Sequence, residues 1–96
     1  MTADESQVNS NGYFKMFASD GTFNIYVIDG ETMKITGTLK VRDNVNNIFV
    51  SQINELEYAK GFLYANVWYK DILLKIDATS GSIVKQWDMS ILMKTE

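Results

Sequence analysis

Ninety-six residues, 46% of them apolar and 22% charged, suffice for one small packed domain or a piece of a larger one, and they exclude intrinsic disorder. Twelve acidic against nine basic side chains give a net charge of −3, which leaves neither a basic nucleic-acid footprint nor a polybasic membrane patch. With no cysteine and no histidine, the sequence excludes disulfides, thiol chemistry, Ser-His-Asp and Cys-His catalysis in their usual form, and the commonest zinc-ligand sets.

In chain order, residues 1–11 read as a polar, loosely held N-terminal segment. Residues 13–19 follow as a strand rich in aromatic and β-favouring side chains, closed by Asp20-Gly21. A second strand is expected over 23–29, closed near Gly30, and a third over 33–41. Residues 42–47 form a polar loop with three asparagines. The stretch 49–58 reads as extended, with Lys60-Gly61 as the next turn. Residues 62–68 form another strand, then Tyr69-Lys70-Asp71 a turn, 72–77 a strand, Thr79-Ser80-Gly81 a turn, and 83–89 the last strand. Residues 90–94 suit one short helical turn. Turns every 8–12 residues predict an antiparallel all-β chain. No apolar stretch reaches the length a membrane-spanning helix needs.

The chain also repeats itself. Gly12-Tyr13-Phe14 aligns with Gly61-Phe62-Leu63 at an offset of 49, and Ile25-Tyr26-Val27-Ile28-Asp29 with Leu73-Leu74-Lys75-Ile76-Asp77 at 48. Ile35 and Leu39 then match Ile83 and Trp87. Four strands in roughly 40–50 residues are the signature of a β-propeller blade. The alternative is a small β-sandwich of similar hairpins. The predicted fold is therefore about two four-stranded antiparallel blades: a partial blade over 12–48, a second over 49–90, and a tail over 91–96. The strand 62–68 is apolar on both faces, Phe62, Tyr64 and Trp68 on one and Leu63, Ala65 and Val67 on the other, so both faces need covering. An uncovered face loses roughly 1.5–3 kcal/mol per apolar side chain. The chain is thus expected to need flanking blades or self-association, and any signal peptide would lie upstream of it.

Among residues that carry chemistry, the densest polar cluster is Asn54-Glu55-Leu56-Glu57-Tyr58. In a regular strand Glu55 and Glu57 share one face and Asn54, Leu56 and Tyr58 the other. Carboxylates lining a propeller channel suit general acid/base work or a hard cation, whereas on an exposed edge they are simply solvated. Asn66, inside an apolar strand, either bridges neighbouring backbone or faces a pocket. Trp68 ends that strand, at a cleft rim or packed between blades. Asp20, Asp29 and Asp77 read as turn formers.

The run Ile53-Asn54-Glu55-Leu56-Glu57-Tyr58, with Lys60-Gly61, Tyr64-Ala65-Asn66-Val67-Trp68, Asp71, Ile76-Asp77, Thr79, Gly81 and Val84, resembles the plant and bacterial type of glutaminyl-peptide cyclotransferase. Ser19-Asp20-Gly21-Thr22 and Ile28-Asp29 extend the resemblance over about residues 12–92, with 5–11 reading as an insertion. It implies a five-bladed β-propeller when complete, and an acyltransferase that converts the N-terminal glutamine of a peptide to pyroglutamate with release of ammonia. It also implies that no catalytic zinc is used, although a structural calcium is compatible with such propellers. By position, Asn54 corresponds to the family's substrate-binding asparagine and Trp68 to a tryptophan of the same pocket. The family's catalytic glutamate and lysine motifs are absent, so no catalytic residue is assigned and the isolated chain is expected to be inactive. A non-catalytic β-propeller interaction module, or a free-standing β-domain that dimerises, are the other classes in view.

Overall fold

Asp20-Gly21, Asp29-Gly30, Lys60-Gly61 and Asp77 mark where four of the strands stop. In the computed structural model, which describes residues 1–8, 11–68 and 70–89, ten strands follow in order: β1 (Thr2–Val8), β2 (Phe14–Ser19), β3 (Asn24–Asp29), β4 (Ile35–Lys40), β5 (Arg42–Asp43), β6 (Ile48–Phe49), β7 (Ile53–Ala59), β8 (Phe62–Val67), β9 (Ile72–Asp77) and β10 (Ile83–Asp88). Lys60 and Gly61 both have positive φ, 49° and 87°, the backbone that a two-residue hairpin turn with the right twist demands. The two Ile-Asp sequences end equivalent strands in equivalent ways. Asp29 Oδ1 accepts from the Glu31 N–H at 2.8 Å, and Asp77 Oδ1 accepts from the N–H groups of Thr79 and Ser80 at 2.7 and 3.1 Å. These bonds hold the backbone in a turn and confirm both aspartates as turn formers.

The strands form two antiparallel four-stranded sheets, β1-β2-β3-β4 and β7-β8-β9-β10, each a simple up-and-down meander, with β5 and β6 a small hairpin between them. Their internal order is the same. The predicted repeat is therefore a repeat of structure, and each copy is one blade. Side chains alternate across each strand. On the inner side of the second sheet Leu63, Ala65, Val67, Leu74 and Ile76 are buried, and they meet Phe17 and Ile25 of the first sheet in one continuous core. Phe17 stacks on Tyr58 with ring centroids 5.7 Å apart and planes within 6°. The Tyr58 N–H donates to Thr2 Oγ1 at 3.0 Å, tying the innermost strands together.

At the outer rim the chain passes from one sheet to the next through Val41 and the β5–β6 hairpin. The Arg42 N–H donates to the Gly81 carbonyl at 3.1 Å, and Asn44 Nδ2 donates to Ser82 Oγ at 2.9 Å. Gly81 has φ 82°, and a Cβ there would lie 2.5 Å from the Lys40 carbonyl oxygen. Only glycine permits this approach.

Two expectations are corrected. The loose segment expected over 1–11 holds a strand: residues 2–8 form β1, with Thr2, Ala3 and Asp4 opposite Phe17, Met16 and Lys15, so the first blade has its own innermost strand. Main-chain ladder bonds hold this strand, and Asp4 on it is only 1% exposed. Its polar composition conceals it from a reading based on apolar alternation. The loop expected over 42–47 carries a strand residue pair at each flank, with Arg42 opposite Phe49 and Asp43 opposite Ile48. The helical turn expected over 90–94 and the tail 91–96 lie outside the described residues.

Candidate functional site

The NELEY segment does not run as a regular strand. Asn54 pairs with Asn66 and Leu56 with Ala65, so Glu55 is the extra residue of a β-bulge, and its φ of 30° is the local distortion that admits it. The bulge reverses the facing expected from simple alternation. Leu56 (8% exposed) joins Ile53 in the core, while Asn54 is turned to the same side as Glu57, Tyr64 and Asn66. Asn54 is thereby separated from Leu56 and Tyr58, whereas Glu55 and Glu57 both border the outward side. One residue of slippage is the whole difference, since the side-chain period of a strand is two.

On that outward side lies an open cleft of about 590 Å³, lined by Met1, Glu55, Leu56, Glu57, Tyr64, Asn66 and Leu73. Its lining combines the polar side chains of Glu55, Glu57, Tyr64 and Asn66 with the apolar ones of Met1, Leu56 and Leu73. A second depression, of about 190 Å³, lies against Asn66, Lys70, Asp71, Ile72, Leu73 and Met89. Asn66 is common to both. Its Oδ1 is buried and accepts no hydrogen bond among the described residues. Leaving a buried carbonyl unpaired costs about 1–3 kcal/mol. Of the two roles open to Asn66 from sequence, the structure shows the pocket-facing one.

Trp68 stands one residue past β8, at the same end of the sheet as Asn54. Its backbone N–H donates to the Gln52 carbonyl at 2.8 Å, and 52% of its surface is exposed. Asn54 is half-buried. The antiparallel pairing of β7 and β8 places Asn54 opposite Asn66 and Trp68 just past the same strand end, but neither Asn54 nor Trp68 is among the residues that line the two depressions. Sequence reasoning missed Met1 as a lining residue, because β1 was unseen, and missed the bulge, because a glutamate at positive φ carries no compositional signal. Among the described residues no three Asp or Glu side chains converge as a cation site.

Asp20 makes a separate polar cluster on the first sheet. Its carboxylate accepts from the Thr22 hydroxyl and N–H at 2.5 and 3.0 Å and from the Tyr26 hydroxyl at 2.5 Å. These donors, the Thr22 hydroxyl foremost, hold the Asp20 carboxyl below its ordinary value, and the bond that the Tyr26 hydroxyl donates to Asp20 raises the Tyr26 phenol. The cluster closes the Asp20-Gly21 turn.

Repeated four-stranded meanders packed face to face make this chain two blades of a β-propeller. The sequence model of the glutamine cyclotransferase family matches residues 10–96. A glutaminyl-peptide cyclotransferase of Arabidopsis thaliana is 41% identical over 69 residues, which is 72% of this chain and 21% of that protein. The crystal structure of Myxococcus xanthus glutaminyl cyclase superimposes with a TM-score of 0.78 at 32% identity, over 83% of this chain and 34% of that one. The chain belongs to the glutamine cyclotransferase family, and it spans about a fifth to a third of the length of these relatives.

Proposed function

We propose that this chain supplies one wall of the substrate pocket of a glutaminyl-peptide cyclotransferase, an enzyme that closes the N-terminal glutamine of a peptide to pyroglutamate. In that reaction the α-amine attacks the side-chain amide carbon. A C–N bond forms within the new ring, the bond to the amide nitrogen breaks, and ammonia leaves with a proton taken from the attacking amine. The carbonyl oxygen carries negative charge in between, and neutral amide donors held close to it stabilise that charge without titrating. Asn54 supplies such a donor, and the Trp68 ring supplies a flat apolar wall for the small substrate head. Glu55 and Glu57 are given no acid/base role. The proton-transfer groups come from outside these 96 residues, and the reading invokes no zinc.

The observation that supports the reading is the bulge at Glu55, beyond which Asn54 pairs with Asn66, a residue that lines the cleft, at the strand end that leads to Trp68. The test is a titration of the isotope-labelled chain with a short peptide that begins with glutamine, followed by NMR. The Asn54 side-chain amide and the Trp68 indole N–H shift, and Asn54→Ala and Trp68→Ala each weaken the apparent affinity about tenfold, equivalent to ~1.4 kcal/mol. Ammonia release by the 96-residue chain stays at background. Unchanged affinity in both variants rejects the site, and turnover by the chain alone rejects the assignment of proton transfer to groups outside it.

A further inference from the structure

Of the eight asparagines in the chain, Asn11 alone is followed by glycine. The others precede Ser, Ile, Val, Asn or Glu, whose side chains crowd the backbone nitrogen beside them. Glycine has no Cβ to hinder approach to its own nitrogen. An asparagine side-chain carbon and the nitrogen of a following glycine can therefore close into a cyclic imide.

The fold favours that closure here. Val8 pairs with Phe14, so five residues connect β1 to β2, whereas Ala59 pairs with Phe62 and only Lys60 and Gly61 connect β7 to β8. In the longer connection Asn11, Gly12 and Tyr13 are exposed. Gly12 has φ 87°, and a Cβ there would meet nothing within 4 Å. Two Asp-Gly pairs could close the same ring, and both are held. The Asp20 carboxylate accepts the three bonds that close its turn, and a bonded, ionised carboxylate is a poor electrophile. At Asp29-Gly30 the glycine N–H donates to the Phe14 carbonyl at 3.0 Å, so the nitrogen that would attack is engaged.

We propose that Asn11-Gly12 is a site of spontaneous deamidation and that Glu31 governs its rate. The Gly12 nitrogen gives its proton to solvent and attacks Asn11 Cγ. The bond from Cγ to Nδ2 breaks, and that nitrogen takes up a proton and leaves as ammonia. Water then opens the imide at either carbonyl. One opening gives aspartate, the other isoaspartate with the backbone rerouted through the side chain. One water is consumed and one ammonia released, so each converted chain carries one negative charge beyond the present −3. Every group in the sequence of steps lies within the chain or is water.

Glu31 restrains the first step. Asn11 Nδ2 donates to both Glu31 carboxylate oxygens, at 3.0 and 2.8 Å. The bond pins the amide to the connection between β3 and β4. Donation to an anion also strengthens the conjugation of the amide nitrogen with its carbonyl, which makes Cγ a weaker electrophile. After conversion the attraction changes sign, because a carboxylate at position 11 faces the one at Glu31 and like charges repel. Deamidation thus releases the β1–β2 connection from the neighbouring turn.

The test incubates the 96-residue chain in mildly alkaline buffer and maps its peptides by mass spectrometry, with an isoaspartyl methyltransferase reporting the rerouted backbone. Asn11 converts at least about tenfold faster than any other asparagine. Glu31→Ala, which removes a surface bond, speeds the conversion about threefold or more. Circular dichroism confirms that each variant is folded, and Glu31→Gln, with a neutral acceptor, takes the place of Glu31→Ala if that variant is not. An Asn11 that keeps its amide while other asparagines lose theirs overturns the proposal. A folded Glu31 variant that converts no faster than the wild type overturns it equally.

Discussion

Deleting a single residue from β7 separates two structural accounts of that strand. Glu55 is the bulged residue, so its removal leaves Asn54 opposite Asn66 and Leu56 opposite Ala65, with every side chain of β7 on the side it already occupies. The deletion releases a backbone held at φ 30°, a conformation that costs of order 1–3 kcal/mol, and forfeits the extra twist that a bulge supplies. The net change stays within about 2 kcal/mol. Deleting Glu57 instead forces the bulge to be absorbed elsewhere. Leu56, now buried, turns outward and loses roughly 1.5–3 kcal/mol, and Glu55 turns into the core, where an unpaired carboxylate costs several kcal/mol more. For a chain of this size about 1 kcal/mol moves the melting midpoint by roughly 4–8 °C. The Glu57 deletion therefore melts at least about 15 °C below the Glu55 deletion, or does not fold. Thermal and urea unfolding followed by circular dichroism read the difference directly. Equal stabilities for the two deletions, or an unfolded Glu55 deletion, would refute the register on which the candidate site is built.

Two further predictions concern the first sheet. Met33 has φ 59° in a turn whose counterpart in the second copy holds Gly81 at φ 82°. A left-handed backbone costs an ordinary residue roughly 1–2 kcal/mol, partly offset by the extra freedom glycine gives the unfolded chain, so Met33→Gly raises stability by up to about 1 kcal/mol in urea unfolding. A loss of stability would show that the exposed Met33 side chain contributes packing. Asp20 titrates below its ordinary value of 3.8, so the stability it adds is present above the unfolded value and is lost as pH falls through the lower folded one. Carbon NMR of its carboxyl finds that depressed midpoint, and Tyr26→Phe, which removes one donor, moves it upward. An unchanged midpoint in the variant would dismiss the hydrogen bond as its cause.

Most strands announce themselves in the sequence because their faces are apolar on one or both sides. The runs that became β2, β3, β8 and β9 carry Phe, Ile, Val and Leu at alternating positions, bounded by Asp-Gly, Ile-Asp and Lys-Gly turns. The repeat between them is legible for the same reason: equivalent strands face equivalent layers. What stays hidden is structure held by the main chain. β1 offers Thr, Ala, Asp, Glu, Ser and Gln to the reader, and its pairing with β2 does not depend on side-chain hydrophobicity. The bulge is hidden too, since Glu55 has no preference for positive φ and is held there by the strands on either side. The candidate site suffers most from this. Asn54 and Trp68 are visible through the resemblance of their motifs, but the facing of Asn54 and its partnership with Asn66 follow only from pairing. Asn66 was visible as an amide in an apolar strand, and its unpaired oxygen needed the fold.

Gly81 sits beneath the Lys40 carbonyl at the outer rim, where no β-carbon fits. That gap gauges the wedge angle between adjacent sheets. A methyl group there would meet main chain rather than a pliable side chain, so the two sheets themselves would have to shift to admit it. The set of one sheet against the next thus hinges on a space narrower than one atom.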